Sequence, residues 1–280
     1  MSPVVICRPF TELSARERVR AILDAGTFRE ILGPADRVES EWLPLQGIVP
    51  QSDDGAVIGR GAIDGTEAVV LALDGRFQGG GIGEVSGAKL AGALERAAHD
   101  RARGIDTRVV LCLETGGIRL QEANLGLLAI AEIHGALVEL RRLGPVVGVI
   151  AGPVGCFGGM AIAAGLTSHL VMTRAGRLGL NGPEVIESEA GIDELDSRDR
   201  ALIWSMIGGA QRVSTGFAEV LVDDDIDRVT EAVRAVWSGS QRAPSRAERT
   251  ARGLALTAVI DPGDRPDPAR FRAIVEDVDR

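Results

Sequence analysis

The stretch Val146-Val-Gly-Val-Ile-Ala-Gly-Pro-Val-Gly-Cys-Phe-Gly-Gly-Met160 decides the fold. Val146–Ile150 is a short, uncharged, β-branched run of the kind that a sheet buries on both faces. Gly152-Pro-Val-Gly-Cys-Phe-Gly-Gly159 cannot continue that strand and reads as a turn, after which Met160–Ser168 has the small and apolar residues of a buried helix. Leu170–Thr173 returns as a short strand. The span Leu143–Thr173 contains no Asp, Glu, Lys or Arg and is long enough to cross a membrane. It also holds seven glycines and two prolines, so strand, turn and helix describe it better.

The same unit occurs twice upstream. Val69–Leu73 leads through Gln78-Gly-Gly-Gly-Ile-Gly83 into a helix over Glu84–Arg103 closed by Gly104. Arg108–Leu113 leads through Glu114-Thr-Gly-Gly117 into a helix over Leu120–Arg142. Such succession specifies an α/β fold with a parallel sheet covered by helices, and each turn falls at the carboxyl end of a strand, where open α/β sheets bind ligands. Val57–Ile63 and Glu67–Asp74 flank Asp64-Gly65 and predict a hairpin ahead of the first unit. Ser14-Ala-Arg-Glu17 is a capping box that starts a helix ending near Gly26. The expected organisation is an amino-terminal helical appendage with an irregular stretch over residues 1–54, a main domain over 55–238, and a polar linker with a carboxyl-terminal helix over 239–280. Within these, Asp199–Ile207, Ile226–Trp237 and Asp267–Val278 read as helices, and Gly239–Arg252 as the linker.

A chain of 280 residues with 45% hydrophobic and 25% charged residues can bury a full core. Its net charge of −9 argues against nucleic acid or an anionic membrane surface as partner, since both would repel it. Cys7, Cys112 and Cys156 lie far apart and form neither a disulfide framework nor a metal-binding pair. The amino terminus offers only the apolar patch Val4–Cys7 and no cleavable signal, so a cytoplasmic location is expected.

Of the 36 glycines, ten fall in the three turns. Glycine permits positive φ and close backbone approach, so such turns can aim bare N–H groups into a cavity, as an anion site or an oxyanion hole requires. The plain alternative is three tight turns in a compact sheet. Gln78–Gly83 lacks the spacing of a dinucleotide fingerprint, and Lys89 follows Ala88 where a phosphate loop needs glycine, so nucleotide binding is rejected. His99 and His134 fall in expected helices and His169 abuts a strand; each reads as unremarkable, none has metal-ligand spacing, and no metal is expected. Cys156 is either a nucleophile or a small buried residue. Glu114, Arg119 and Glu122 flank the second turn as caps, ion pairs or ligands.

Phe77-Gln-Gly-Gly-Gly-Ile-Gly-Glu-Val-Ser-Gly-Ala-Lys89, Glu114-Thr-Gly-Gly-Ile-Arg-Leu-Gln-Glu122, Pro145–Met160 and Asn181-Gly-Pro-Glu-Val-Ile-Glu187 together resemble the carboxyltransferase branch of the crotonase superfamily. The likeness is greatest to the β subunits of biotin-independent malonate decarboxylases and extends over most of the chain, weakening after Asp225. It implies a crotonase-like (ClpP/crotonase) fold of repeated ββα units. It also implies decarboxylation of a malonyl thioester carried by an acyl carrier protein on a CoA-like prosthetic arm, with no directly bound cofactor, metal or biotin. Two backbone N–H groups would hold the enolate oxygen, the first from Gly117 or Ile118 and the second from Gly158 or Gly159. Gly80, Gly81 and Lys89 would line the same cleft, with Gly116, Arg119, Cys156 and Phe157 in the substrate-binding loops. In such enzymes the cleft lies between two similar domains, so the resemblance implies a γ subunit as partner, in a heterodimer or a dimer of heterodimers. The Leu120–Leu140 helix agrees: Leu125, Leu128, Ile130, Ile133, Leu137 and Leu140 make it more apolar than one buried face requires.

Three other readings compete. A biotin-dependent carboxyltransferase uses similar loops in the opposite sense, although the chain lacks the cysteine zinc ribbon of the bacterial acetyl-CoA carboxylase relative. A Clp-like serine peptidase would need Ser, His and Asp in reach, and neither Ser86 nor Ser168 sits in a G-x-S-x-G elbow. A non-catalytic scaffold would have no use for aimed N–H groups.

Overall fold

In the computed structural model residues 8–239, 244–261, 263–264 and 267–280 are described. Helix α1 (Ala15–Ile22) opens on the expected capping box, with the Ser14 hydroxyl accepting from the Glu17 N–H and the Glu17 carboxylate accepting from the Ser14 N–H at 2.8 Å. A three-residue strand β1 (Arg29–Ile31) and a short helix α2 (Trp42–Leu45) follow. Strands β2 (Ala56–Ile63) and β3 (Thr66–Leu73) form the hairpin, closing between Ile63 and Thr66. Its two turn residues, Asp64 at φ 47° and Gly65 at φ 71°, are both left-handed, the backbone twist that a two-residue hairpin loop shares with its strands.

The three repeated units then appear as α3 (Glu84–Ala102), β4 (Arg108–Cys112), α4 (Ala123–Leu143), β5 (Val146–Ile150), α5 (Gly159–Leu166) and β6 (His169–Thr173). Helices α6 (Pro183–Ala190), α7 (Arg200–Ile207) and α8 (Gly209–Ser214) lead to strand β7 (Val220–Val222), and α9 (Ile226–Ala235), α10 (Arg246–Val259) and α11 (Pro268–Val278) complete the chain. Among the described residues the sheet has seven strands in chain order, antiparallel from β1 to β3 and parallel from β3 to β7.

Alternate residues of each strand enter different cores, the period of two that a pleated strand imposes. Val69, Leu71 and Leu73 of β3, with Val109 and Leu111 of β4, pack under α3, α4 and α5. Ala68, Val70, Ala72, Val110 and Cys112 pack instead under α1 and α9, through Val19, Ile22, Val229 and Val233. Leu90, Leu94, Ile133 and Leu137 are at most 1% exposed. Each such side chain gains about 1.5–3 kcal/mol on leaving water. Residues 8–54 thus enter the same body, α1 as cover for one sheet face and β1 as the edge strand beside β2.

The uncharged Leu143–Thr173 resolves into the end of α4, β5, a loop, α5 and β6, and among the described residues no helix is long and apolar enough to cross a membrane. The expected linker Gly239–Arg252 is corrected by α10, which begins inside it on a second capping box, Ser245 with Glu248. That helix buries only Leu256, so its composition is polar enough to pass for a linker. Residues 240–243 of that stretch, and the apolar patch Val4–Cys7, lie outside the described residues.

Candidate active site

The loops after β3, β4 and β5 bond to one another above the sheet. Single parallel bridges join Ile82 to Ile118, Thr115 to Cys156, and Cys156 to Leu178. The Ile82 N–H donates to Gly117 O and the Arg119 N–H to Ile82 O, both at 2.8 Å, while Phe157 N–H donates to Thr115 O at 2.9 Å. Three loops that a strand-by-strand reading leaves independent are therefore one backbone-bonded layer.

Within that layer most N–H groups are taken. Gly117 N–H donates to its own Thr115 hydroxyl at 3.0 Å, Gly158 N–H to Leu180 O at 2.8 Å, and Gly116 N–H to Gly79 O at 2.9 Å. Gly80 and Gly81 close a local turn onto Phe77 O and Gln78 O. Among the described residues the N–H groups of Ile118 and Gly159 donate to nothing. The reasons are local: the peptides on either side of Ile118 face Ile82, which turns the Ile118 N–H away from it, and Gly159 opens α5, where a first-turn N–H has no intrahelical acceptor. Gly117 (φ 109°) and Gly158 (φ 62°) bring the two loops together. A Cβ at Gly158 would stand 3.3 Å from Gly117 Cα, and one at Gly117 would stand 3.4 Å from Gly158 Cα, so the two backbones are in direct contact, and the positive φ at each strains any side chain placed there.

Buried charges fix the first of these arms. Arg119, only 1% exposed in its side chain, donates to Asp54 at 2.8 Å and to Glu122 at 2.9 Å. The other carboxylate oxygen of Asp54 accepts the Ser86 N–H in the first turn of α3 at 2.7 Å, and Ser40 bonds Glu122. Arg119 is thus the shared ion-pair partner of buried Asp54 and Glu122. Glu114 is likewise engaged, by Arg18 of α1. Lys89 is buried with its ammonium donating to Asp53 O at 2.8 Å and to Ala56 O, and burial lowers its pKa. Cys156 is fully buried, and desolvation pushes its thiol pKa well above the usual range, which disfavours the nucleophilic thiolate. Ser86 and Ser168 hold backbone N–H groups of Gly83 and Val146.

A cleft of about 440 Å³ adjoins the layer, with Gly116, Phe157, Arg177, Gly182 and Glu184 among its walls. The Arg177 guanidinium lies between the Phe157 ring, at 5.6 Å, and the Trp204 ring, at 4.7 Å. A wider hollow of about 670 Å³ lies at the other end of the sheet, but its walls include the ion pairs of Arg60 with Asp100 and Glu67 rather than loop N–H groups. The smaller cleft is the one walled, through Gly116 and Phe157, by the loops that carry the open donors. Sequence reading passed over Asp54, which meets Arg119 from 65 positions away. His134, unremarkable in sequence, has its Nε2 2.8 Å from Gly159 O. Thr115 was legible, since a threonine two residues before a glycine can bond that glycine's N–H.

The carboxyl transferase domain family matches residues 8–267. A chain of the Pseudomonas malonate decarboxylase hetero-tetramer, solved in complex with malonate, is 56% identical and superposes with a TM-score of 0.92, covering 97% of this chain and 98% of that one. The malonyl-S-ACP:biotin-protein carboxyltransferase of Malonomonas rubra is 43% identical over 82% of this chain and 75% of its own length. The fused acetyl-coenzyme A carboxylase carboxyl transferase subunits beta/alpha of Saccharopolyspora erythraea are 32% identical over 64% of this chain, which spans 33% of that longer protein.

Proposed function

The chain belongs to the carboxyl transferase domain family, and we propose that within it the chain is the β-type subunit of a biotin-independent malonate decarboxylase. Its substrate is the malonyl thioester of an acyl carrier protein, presented on a CoA-like arm, and its products are the acetyl thioester and carbon dioxide. Breaking the carboxylate C–C bond leaves an electron pair that moves into the thioester carbonyl and gives an enolate oxygen; a proton then converts the enolate to the acetyl group. The N–H groups of Ile118 and Gly159 receive that oxygen. Preorganised donors of this kind act where charge develops, and losing one costs about 2.7–4 kcal/mol. No metal or biotin enters these steps.

The observation that carries this reading is the pair of unengaged N–H groups on two loops that touch at Gly117 and Gly158. Support for a partner comes from α4, which buries Ile130, Ile133, Leu137 and Leu140 yet leaves Leu127 and Leu128 53% and 58% exposed. A helix apolar on two sides has a second surface to cover. One relative of known structure is a chain of a hetero-tetramer, which supports a partner subunit. One observation favours a second reading: the Malonomonas relative is named as a carboxyltransferase that uses a biotin protein.

The test is to supply the chain with its partner, malonyl carrier protein, and either no acceptor or a biotinylated carrier domain. Free carbon dioxide released at the same rate with and without the acceptor supports the decarboxylase. Formation of carboxybiotin with little free release in its absence establishes the transferase instead.

A further inference from the structure

Gly159 rests on α4 at two points one helical turn apart. An added Cβ on Gly159 would meet Ile130 Cγ2 at 2.7 Å, so the Gly159 backbone lies directly on that side chain. Four residues on, His134 Nε2 reaches the Gly159 carbonyl at 2.8 Å. A carbonyl oxygen can only accept, so Nε2 carries the proton and donates. The two glycines that let the loop turn into α5 also leave it with more backbone freedom than any other pair of residues would. A donor on a rigid helix removes that freedom. From these contacts we infer that His134 is a positioning residue for the oxyanion hole: it fixes the peptide that follows Gly159, and with it the direction of the Gly159 N–H. The inference rests on the proposed hole.

Because the hole serves the transition state more than the bound substrate, a misdirected donor lowers kcat and leaves KM nearly unchanged. Misplacement by about 1 Å costs up to roughly 100-fold in rate. His134→Ala in the full complex is therefore expected to lose about 10- to 100-fold in kcat for malonyl carrier protein, with KM within about threefold of wild type. His134→Gln, whose amide N–H can stand in for Nε2, should recover most of that loss. Thermal melts of both variants accompany the kinetics, because a contact that only stabilised the fold would lower Tm in His134→Ala, recover it in His134→Gln, and give no kcat-specific loss. An active wild-type complex with His134→Ala at wild-type kcat, or with His134→Gln as slow as His134→Ala, overturns the role of His134 and leaves the decarboxylase reading intact. An inactive wild-type complex overturns the decarboxylase reading and the inference with it. Should His134→Ala fail to fold, His134→Gln against His134→Leu supplies the same comparison.

Discussion

The two arms of the site are held in different ways. The arm carrying Ile118 is fastened by buried charge, with Arg119 between Asp54 and Glu122 and Asp54 tied in turn to the first turn of α3. The arm carrying Gly159 is fastened by neutral contacts alone: backbone bonds from Phe157 and Gly158 to Thr115 O and Leu180 O, apolar contact with Ile130, and a side-chain bond from half-buried His134. A buried charge that loses its partner is costly, whereas a neutral contact can be removed with little left unsatisfied. The first arm should therefore fail by unfolding and the second by misplacement.

The sharpest way to break this contrast is Arg119→Met, which leaves Asp54 and Glu122 buried without their cation. Denaturant unfolding should show a loss of roughly 3–5 kcal/mol. A loss below about 1 kcal/mol would mean that the network is not what holds this arm. Gly158→Ala comes next, because it places a methyl group in a backbone at φ 62° and against Gly117. Turnover should fall about 100-fold or more while circular dichroism stays that of the wild type; unchanged turnover would separate the loop contact from the chemistry. Leu128→Glu leaves both arms in place and alters only the exposed side of α4. Isolated stability should move by no more than about 0.5 kcal/mol, and affinity for the partner subunit, read by sedimentation, should drop about tenfold. Cys156→Ala should do least: the thiol is buried and far from ionising, so kcat should stay within about twofold in the same carbon dioxide assay. A folded but inactive variant would put a nucleophile where the backbone hole is argued to be.

The contrast between the arms also explains what was legible beforehand. Strand and helix periodicity placed β2 to β6 and the helices between them, because β-branched runs, glycine turns and apolar stripes are local signals. Three-residue β1 and β7 are too short to carry a period, and α10 hides its capping box in charged sequence. The glycine loops marked where backbone donors would gather. Which donors are free was not legible, because it depends on acceptors such as Leu180 O and Ile82 O that lie in other loops. For Arg119 the sequence leaves cap, ion pair and ligand open, because its partner Asp54 lies far away in the chain. His134 looked like any helical histidine, since nothing near it in sequence names Gly159 as its acceptor.

The most direct test of the account is a structure of the chain with its partner subunit and a non-decarboxylating malonyl thioester analogue bound. The account places the thioester oxygen about 2.7–3.1 Å from both the Ile118 and the Gly159 nitrogens, the range for a working oxyanion hole. A thioester oxygen bound elsewhere, on side chains or on the partner alone with these two N–H groups still facing solvent, would contradict it.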